Sequence, residues 1–329
     1  MSVKTNLLLL LEQNRGRPVS GQRISEQLGV TRGAVWKAVK ELRQQGYQIQ
    51  AVTNRGYTLD DQNDILSPQG ILPYVEDARL DGQITVLESV SSTNTLLKQQ
   101  AADGAPAPSA LIAKEQTGGR GRRGRSFYSP KNSGLYVSLL LRPQGMTGDH
   151  APLITTAAAV AVCQAVEEVC GVSLQIKWVN DLFLGEQKIC GILTEAVTDF
   201  ESGCVESVII GVGMNLIRPE GLPQELVGVA GYLSDALERP VSRNRLCAAV
   251  LNHLMRTVSQ LQSRAFLPEY RRRSLVLGRT VQVASPQGEY TAKALDIGEN
   301  GDLVVSLDDG TRRRLSSGEV RISPVASPH

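Results

Sequence analysis

The sequence has few cysteines and histidines, and neither set has the spacing of a metal site. No CxxC pair occurs among its five cysteines, and their odd number is typical of reduced thiols rather than of a disulfide framework. The cysteines, which we expect to be small core residues, are Cys163, Cys170, Cys190, Cys204 and Cys247. Only three histidines occur, and their scatter argues against a zinc site or a histidine-based catalytic triad; they are His150, His253 and His329.

A long apolar run is also missing. The N-terminal run from Leu7 to Leu11 is far too short to cross a bilayer, and with Lys4 it lacks the long apolar region and the cleavage site of a signal peptide. We therefore predict a cytoplasmic protein without a membrane partner. With 329 residues, at roughly 150 residues per domain, the chain is long enough for two or three domains.

Positive charge is concentrated near the N-terminus, although the whole chain carries a net charge of only +2. Residues 1 to 60 contain nine lysines or arginines against four acidic residues, a local balance of +5, so the remaining chain is at −3. This asymmetry indicates that the N-terminal region binds a polyanion while the rest of the chain has a different task.

The N-terminal region has the pattern of a helix-turn-helix. The run from Thr5 to Gln13 predicts a short apolar helix, and Ser20 is a cap for a second helix that ends near Leu28. Thr31 caps a third helix, whose apolar residues recur at helical spacing and leave its basic residues on other faces.

Two strand-like runs complete a winged helix, which we predict over residues 1–62. They are Tyr47 to Val52 and Gly56 to Leu59, joined by the basic turn Thr53-Asn54-Arg55. In such a module the third helix enters the major groove of DNA, and the wing contacts phosphate or the minor groove. A protein-interaction domain is the alternative, and the +5 balance favours DNA. The predicted DNA contacts are Ser20, Thr31, Arg32, Lys37, Lys40 and Arg55.

A basic, glycine-rich loop is the first candidate for an active site. Residues 114 to 125 read KEQTGGRGRRGR, with five cations and four glycines between two apolar strand-like runs. Glycine lets backbone N–H groups approach a ligand, and guanidinium groups match phosphate or carboxylate oxygens. The spacing is not that of a P-loop, because no Gly-Lys-Ser/Thr follows. A solvated basic turn or a nucleic-acid contact is the alternative interpretation of this loop.

Polar residues at the ends of apolar runs extend the candidate site. Ser92-Thr93-Asn94 follows the apolar run Ile84 to Val90 and precedes a helix predicted from Thr95 to Ala102. These side chains are helix caps whatever else they do, and they also suit a neutral polar ring that needs donors and acceptors. A predicted strand from Leu174 ends in Trp178-Val179-Asn180-Asp181, and Lys188 stands in the apolar strand of the hairpin that follows.

The C-terminal part changes to short strands and turns. Five such runs lie between Thr280 and Ile322, separated by turns such as Pro286-Gln287-Gly288 and Asp308-Asp309-Gly310. They predict a small β-barrel at residues 276–329. The run Arg312-Arg313-Arg314 is interpreted as a solvated strand face, with a DNA or acidic-partner contact as the alternative.

Together these motifs resemble the BirA-type family of bifunctional biotin protein ligases and biotin operon repressors. The resemblance covers the whole chain and rests on motifs in the family's order and spacing: Ser92-Thr93-Asn94, residues 119–124 (GRGRRG), residues 177–181 (KWVND), Lys188 with Gly191, and residues 211–215 (GVGMN). The family has proline where this chain has Val179, and often tryptophan where it has Phe127. An α/β multi-domain protein is implied, with a central α+β catalytic domain like that of class II synthetases at residues 63–275 and an SH3-like C-terminal barrel.

The resemblance implies a reaction in two steps with ATP, Mg²⁺ and biotin. The biotin carboxylate first attacks the α-phosphate of ATP to give biotinyl-5′-AMP, and a lysine of biotin carboxyl carrier protein then takes the biotinyl group. Implied catalytic residues are Lys188, Arg122, Arg120 and Asp181. Implied biotin contacts are Ser92, Thr93, Asn94, Gln116, Arg120, Gly121, Arg122, Lys188 and Gly191. Implied ATP or adenylate contacts are Arg122, Arg123, Phe127, Lys177, Asn180 and Asn215. No protein-only metal site is implied; Mg²⁺ is bound through phosphates, with Asn180 or Asp181 as an additional ligand.

The family also implies two macromolecular partners and a dimer. Besides the carrier protein, the chain is expected to bind the operator DNA of biotin biosynthesis genes as a homodimer that forms on binding biotinyl-AMP. Three alternatives remain: a lipoate ligase with the same chemistry, a ligand-sensing repressor without ligase activity, and an RNA-binding protein. The role of Asp181 is also open between orienting or deprotonating the amine and binding metal or phosphate with Asn180.

Overall fold

The computed structural model describes residues 2–52, 55–143, 146, 151–198, 204–285 and 288–322. Within these ranges the chain runs from a helix-turn-helix, through a mixed α+β region, to an antiparallel β region, which confirms the predicted order of fold types. The tip residues Thr53 and Asn54 of the predicted wing and Pro286-Gln287 of a predicted turn lie outside the described residues, as do His150 and His329.

The N-terminal region consists of three helices and a two-stranded antiparallel sheet. Their bounds are α1 Val3–Gln13, α2 Gly21–Leu28, α3 Arg32–Gln44, β1 Ile49–Val52 and β2 Gly56–Leu59. The predicted caps are confirmed, because Ser20 Oγ accepts from Arg23 N and Thr31 Oγ1 accepts from Ala34 N. Gly29 ends α2 in the left-handed region at φ 63, where glycine carries no Cβ penalty. The buried face of α3 comprises Val35, Ala38, Val39 and Leu42.

The central region is built on a seven-stranded sheet with the order β3-β4-β5-β9-β8-β7-β6. Its strands are β3 Ile84–Leu87, β4 Ser109–Ala113, β5 Gly134–Leu141, β6 Gln175–Lys177, β7 Asp181–Leu184, β8 Gln187–Thr198 and β9 Val205–Asn215. Among these described strands, only β3 and β4 pair in parallel. The helices are α4 Pro68–Ile71, α5 Thr93–Ala102, α6 Ala151–Cys170, α7 Arg243–Ser259 and α8 Leu267–Arg273. The sheet carries the candidate site, and α6 and α7 supply much of the hydrophobic core.

Helix α6 is the one described helix long and apolar enough to span a membrane, over Pro152–Cys170. Within that window 72% is buried inside the protein. Its residues Ile154, Ala158 and Val162 belong to the same core as the sheet residues Ile192 and Ile210. Burial of this kind is what the core helix of a globular domain requires.

The C-terminal region is a five-stranded antiparallel sheet with the order β13-β12-β11-β10-β14. Its strands are β10 Thr280–Ser285, β11 Gly288–Ile297, β12 Leu303–Ser306, β13 Arg312–Leu315 and β14 Glu319–Ile322. The side chains of Arg312, Arg313 and Arg314 are exposed, as predicted for a solvated strand face. Val281 and Leu303 are continuous with the central core, so the two regions share one apolar interior.

Several predicted element boundaries are wrong. Helix α1 begins at Val3 rather than Thr5, and strand β1 begins at Ile49 rather than Tyr47. Helix α5 begins at Thr93 rather than Thr95, because Ser92 is its cap and Thr93 and Asn94 form its first turn. Strand β6 ends at Lys177 rather than running to Asp181. The indole of Trp178 donates to Gly301 O at 3.0 Å and Tyr270 Oη donates to Val179 O at 3.2 Å, which holds these residues in a turn.

The segment between the helix-turn-helix and the catalytic region is held by hydrogen bonds on both sides. On one side, Arg15 Nη1 donates to Asn63 O at 2.5 Å. On the other, Arg243 Nε donates to Asp64 Oδ2 at 2.6 Å, and Asn244 Nδ2 donates to Ile65 O at 2.9 Å. This polar segment therefore has defined partners in both regions.

Candidate active site

A cleft over the centre of the seven-stranded sheet brings most of the predicted site residues together. Its floor is formed by β8 and β9, and its walls by the start of α5, the basic loop, the turn after β6 and the start of β14. The predicted residues that line it are Ser92, Thr93, Asn94, Gln116, Arg120, Gly121, Arg122, Arg123, Phe127, Lys177, Asn180, Asp181, Lys188 and Gly191. The structure therefore gathers residues that are far apart in the sequence; the bond from Asn94 to Leu193, for example, spans 99 positions.

One end of the cleft is a neutral polar network around the first turn of α5. Gln116 Oε1 accepts from both Thr93 N at 2.9 Å and Thr93 Oγ1 at 3.0 Å, and Gln116 Nε2 donates to Ser129 Oγ. The buried hydroxyl of Ser138 donates to Thr93 Oγ1 and, at 2.6 Å, to Asn94 Oδ1. This end therefore offers donors and acceptors in fixed directions, which suits a neutral ligand.

Asn94 is held in place by the sheet beneath it. Its Nδ2 donates to Leu193 O at 3.1 Å and to Glu195 Oε2 at 2.9 Å. Gly211 makes this possible, because a Cβ at that position would lie 2.2 Å from Asn94 Oδ1. The GVGMN motif thus has glycine at position 211 because the side chain of Asn94 lies directly against strand β9 there.

The basic loop is folded over the cleft. Its residues Arg122–Gly124 form a short 3₁₀ turn, with Arg123 at φ 56 and Gly124 at φ 75. Gly121 N donates to Arg125 O at 2.7 Å and closes this turn. At the end of the loop the ring of Phe127 packs over Gly213, where a Cβ would come within 2.7 Å of the ring.

The other end of the cleft is cationic. Six cationic side chains line it against two carboxylates; the cations are Arg120, Arg122, Arg123, Arg125, Lys177 and Lys188, and the carboxylates are Asp181 and Glu319. Lys188 Nζ lies 2.7 Å from Asp181 Oδ1. Such an excess of positive charge in a partly enclosed space favours a polyanionic ligand.

Burial changes the proton affinity of two of these cations. It lowers the pKa of the Arg122 guanidinium, with Asp181 acting in the opposite direction. It also lowers the pKa of the Lys177 ammonium below the usual value for lysine, again opposed by Asp181. Arg122 Nη1 donates to Asn180 Oδ1 at 3.2 Å. Both side chains are therefore cations that lack full hydration, a state that an anion would relieve.

The sequence motifs did not identify every residue that builds the cleft. Ser138 and Glu195 stand in apolar strands and contact Asn94 from below; only their polarity in a buried strand marks them. The C-terminal sheet contributes Gly318 to Val320, and Arg125 Nη2 donates to Glu319 Oε2 at 2.6 Å. Nothing in the local sequence around Glu319 predicts this contact, because it depends on how the two regions pack.

Asn215, by contrast, does not line the cleft that the described residues form. Its Nδ2 donates to Gly231 O at 3.1 Å and to Lys188 O at 3.5 Å, so it joins the end of β9 to the segment after residue 228. Within the described ranges no group of three His, Cys, Asp or Glu side chains has the arrangement of a metal site.

The predicted DNA contacts are all exposed at the surface of the helix-turn-helix. Arg32, Lys37 and Lys40 are exposed on α3, and Arg55 is exposed next to the wing tip. The Oγ atoms of Ser20 and Thr31 are both engaged as helix caps. Trp36 on α3 is an exposed large apolar side chain, and it was not among the predicted contacts.

Three protein-family models match the chain in series. They are an HTH domain over residues 3–58, the Biotin/lipoate A/B protein ligase family over residues 86–215, and the Biotin protein ligase C terminal domain over residues 276–322. The second of these contains all the predicted ligand contacts named above from Ser92 to Asn215.

Individual proteins match over most of the chain. A solved structure of biotin protein ligase from Aquifex aeolicus in complex with biotin and ATP has a TM-score of 0.63 and 26% identity, covering 73% of this chain and 99% of that chain. The Bifunctional ligase/repressor BirA of Escherichia coli is 25% identical over 98% of this chain and 97% of its own length. The Bifunctional ligase/repressor BirA of Bacillus subtilis is 32% identical over 324 residues, which are 96% of this chain and 98% of the relative. The chain therefore belongs to the BirA family of bifunctional ligase/repressor proteins.

Proposed function

We propose that this protein activates biotin with ATP to biotinyl-5′-AMP and transfers the biotinyl group to a lysine of biotin carboxyl carrier protein. The observation that carries the proposal is the continuity of one cleft with a neutral polar end and a cationic end. Arg120, one of the cations that line the cleft, adjoins the polar end, with Nη1 3.4 Å from Thr95 Oγ1 and 3.7 Å from Glu195 Oε1. A ligand with a neutral ring at one end and a carboxylate at the other fits this order of groups.

In this proposal the neutral end binds the ureido ring of biotin. Its contacts are Ser92, Thr93, Asn94 and Gln116, with Ser138 and Glu195 holding them from behind. Ureido N–H and C=O groups need acceptors and donors together, and this network supplies both. Gly121 and Gly191 leave space for the chain of biotin to pass toward the cations.

The first chemical step joins two anions, so cations must offset their repulsion. A biotin carboxylate oxygen attacks the α-phosphorus of ATP, the bond to the β-phosphate oxygen breaks, and pyrophosphate leaves. Arg120, Arg122 and Lys188 stabilise the charge that develops on the α-phosphate. Arg123, Phe127, Lys177 and Asn180 then contact the rest of the nucleotide, with Phe127 presenting its ring to adenine. Asn215 contributes by fixing the end of β9.

The second step is attack of the carrier lysine amine on the acyl carbon. The acyl–phosphate bond breaks, AMP leaves with the electron pair, and the amine loses a proton. In this step Lys188 holds the carbonyl oxygen. Asp181, whose Oδ1 lies 2.7 Å from Lys188 Nζ, either orients and deprotonates the amine or, together with Asn180, binds metal or phosphate. No protein nucleophile takes part, because the mixed anhydride is already activated.

Mg²⁺ arrives with ATP in this proposal. The cleft offers an amide oxygen on Asn180 and a carboxylate on Asp181, and this donor set fits a hard cation that keeps phosphate and water ligands. When bound, Mg²⁺ neutralises phosphate charge.

The helix-turn-helix supports a second function of the same chain, repression of biotin biosynthesis genes. The exposed cations of α3 and the HTH match over residues 3–58 favour operator DNA as the partner. Biotinyl-AMP acts as corepressor by favouring a homodimer, which presents two recognition helices. The buried cysteines Cys163, Cys190 and Cys247 are free thiols, which supports action in a cytoplasm.

Incubation with ATP, Mg²⁺ and either biotin or lipoate, followed by mass spectrometry of the bound adenylate, tests the enzymatic proposal. We expect an adenylate to form with biotin and not with lipoate. Addition of carrier protein should then consume the biotinyl-AMP. Lipoyl-AMP would assign the chain to lipoate activation, and no adenylate with either acid would leave only ligand sensing.

A further inference from the structure

Trp36 is exposed without a folding reason. Its relative exposure is 60%, the largest among the exposed large apolar side chains of the described chain, whereas the other tryptophan, Trp178, is 3% exposed. The core face of α3 is already complete with Val35, Ala38, Val39 and Leu42, so the indole adds nothing to it. The exposed indole is therefore available to a partner, which would remove its apolar surface from water.

The surroundings of Trp36 favour DNA as that partner. The ammonium of Lys40, one helical turn away, lies 5.5 Å from the centre of the indole ring. Arg32, one turn before it, and Lys37 are exposed on the neighbouring surface, and the first turn of α3 contains no acidic residue. The core of a protein–protein interface is depleted of lysine, whereas a group inserted into a DNA groove has phosphates on both sides, which cations contact.

Gly33 gives a second, independent observation. It lies in the first turn of α3, and glycine is a weaker helix former than alanine. A Cβ built there would contact only Thr31 Oγ1, at 3.8 Å, and Gly33 is not among the residues with positive φ. Neither packing nor backbone conformation therefore explains why this position is glycine. Close approach of a ligand to the helix backbone would explain it.

We propose that Gly33 and Trp36 form the base-reading element of α3, in which the indole lies against the C5-methyl group of a thymine. Gly33 and Trp36 are three residues apart and share one helix face, so the gap left by glycine lies beside the ring. The thymine methyl is the apolar feature that distinguishes A·T pairs in the major groove. Lys40 holds the ring from the side away from Gly33. This inference rests on the proposed operator binding.

The test begins with DNA selected by the full chain. Duplexes are enriched from a random library in the presence of ATP, Mg²⁺ and biotin, and each thymine of the selected sequence is then replaced by uracil, which removes only the methyl group. One position in each half-site should weaken binding by the parent about tenfold on replacement. Trp36→Ala should bind the thymine duplex about tenfold more weakly and show no further loss with uracil. Trp36→Phe, which keeps a ring, should retain part of the methyl dependence.

Gly33→Ala separates recognition from folding. This variant should have a higher Tm than the parent, because alanine favours the helix, and yet bind the selected duplex more weakly. Gln13→Ala, at the exposed last residue of α1, is the control and should leave the affinity for the selected duplex unchanged within error. Equal affinity of Gly33→Ala and parent for the selected duplex would overturn the close-approach argument.

Several outcomes would overturn the base-reading role of Trp36. One is a selected duplex whose affinity for the parent is unchanged by uracil at every position. Another is an equal loss by Trp36→Ala on selected and on random DNA, which indicates a sequence-independent contact. A third is unchanged DNA binding with a changed sedimentation mass, which assigns Trp36 to a protein interface. Failure to enrich any sequence removes operator binding and this inference together, while adenylate synthesis by the same preparation keeps the ligase proposal.

Discussion

Lys188 brings the charge on which the proposed chemistry depends, because its ammonium group lies in the cleft beside Asp181. We expect Lys188→Ala to lower kcat/KM for adenylate synthesis about a hundredfold or more, since a cation that stabilises transition-state charge is worth that much. The fold should persist, because the side chain does not belong to the hydrophobic core. Adenylate formation and Tm are measured together, with Lys98→Ala on the exposed face of α5 as the control. Equal kcat/KM in mutant and parent would remove Lys188 from the site.

Arg122 is expected to matter more for retaining biotinyl-AMP than for forming it. Its guanidinium reaches across the cleft to Asn180, so it closes over the position proposed for the phosphate. Arg122→Gly should therefore still make biotinyl-AMP but release it, and lysines on a bystander protein such as albumin should become biotinylated. Arg239→Gly, at an exposed position, serves as the control. An inactive variant, or one that releases no adenylate, would refute the clamp.

Glu269 gives a pH-dependent stability. Hydrogen bonds from Arg272 and Arg273, opposed by burial, lower the pKa of the Glu269 carboxyl to about 2. Because this folded pKa lies below the usual value, the stabilisation is present above about pH 4.5 and is lost as pH falls through about 2. Glu269→Gln should therefore be less stable than the parent at pH 7, and the difference should shrink between pH 4.5 and pH 2.

Denaturant unfolding at several pH values measures this difference. The control is Glu225→Gln, an exposed carboxylate outside the Arg273 network. The side chain of Arg273 is only 3% exposed, and it pairs with Glu167 as well as with Glu269. Glu269→Gln therefore removes only part of the stabilisation that this buried arginine receives. A difference between Glu269→Gln and parent that is the same at pH 7 and at pH 3 would contradict the assignment.

At the scale of elements, the basic loop is expected to depend on its ligand. Five cations between Lys114 and Arg125 repel one another, and among the described carboxylates only Glu319 and Glu195 are paired with loop arginines. Without ligand, trypsin should cut residues 117 to 125 readily; with biotin and ATP the cleavage should slow, because the anion holds the arginines together. Equal cleavage rates in both states, measured against cleavage elsewhere in the chain, would count against ligand-dependent order.

Helices and strands whose ends are marked by neighbouring residues were predictable from the sequence. Helices α2 and α3 carry their own caps at Ser20 and Thr31, and the hairpin of β7 and β8 carries its turn at Gly185-Glu186. The end of β6 was not predictable, because the contacts of Trp178 depend on the folded chain. The start of α5 was misplaced by two residues although its cap, Ser92, is a local signal.

The residues of the candidate site also fall into those that the sequence identified and those that it did not. Residues in polar or glycine-rich motifs, such as Asn94, Arg122 and Lys188, were found because their types are unusual in their local context. Ser138 lies in the middle of an apolar strand, and Glu319 belongs to a distant sheet. Their part in the cleft follows from the register of β5 and the packing of the C-terminal region, which no local pattern specifies.

At the scale of the whole molecule, adenylate binding is expected to control DNA binding through dimerisation. One helix-turn-helix with a balance of +5 makes few phosphate contacts, so a monomer should bind an operator weakly and a dimer tightly. Biotinyl-AMP, and biotin less strongly, drives this only by binding the dimer-competent form more tightly, as it does if ordering the basic loop also fixes the surface where two catalytic regions meet.

Sedimentation mass and affinity for a selected duplex, each with and without biotinyl-AMP at fixed salt, measure this coupling. Both should rise with adenylate, and Arg122→Gly, which releases it, should require a higher concentration. Unchanged mass and affinity, or operator binding that survives removal of residues 1 to 60, would refute the repressor half of the proposal and leave the ligase half intact.

The contact between Arg125 and Glu319 has a consequence for protein synthesis. The ribosome makes the basic loop, the sheet and Lys188 long before it makes residues 318 to 320, which complete one wall of the cleft. A nascent or truncated chain that stops short of Glu319 therefore has the cations of the cleft but not the wall that pairs with Arg125. Residues 318 to 320 therefore add their wall to the cleft only after β14, the last described strand of the C-terminal sheet, has left the ribosome.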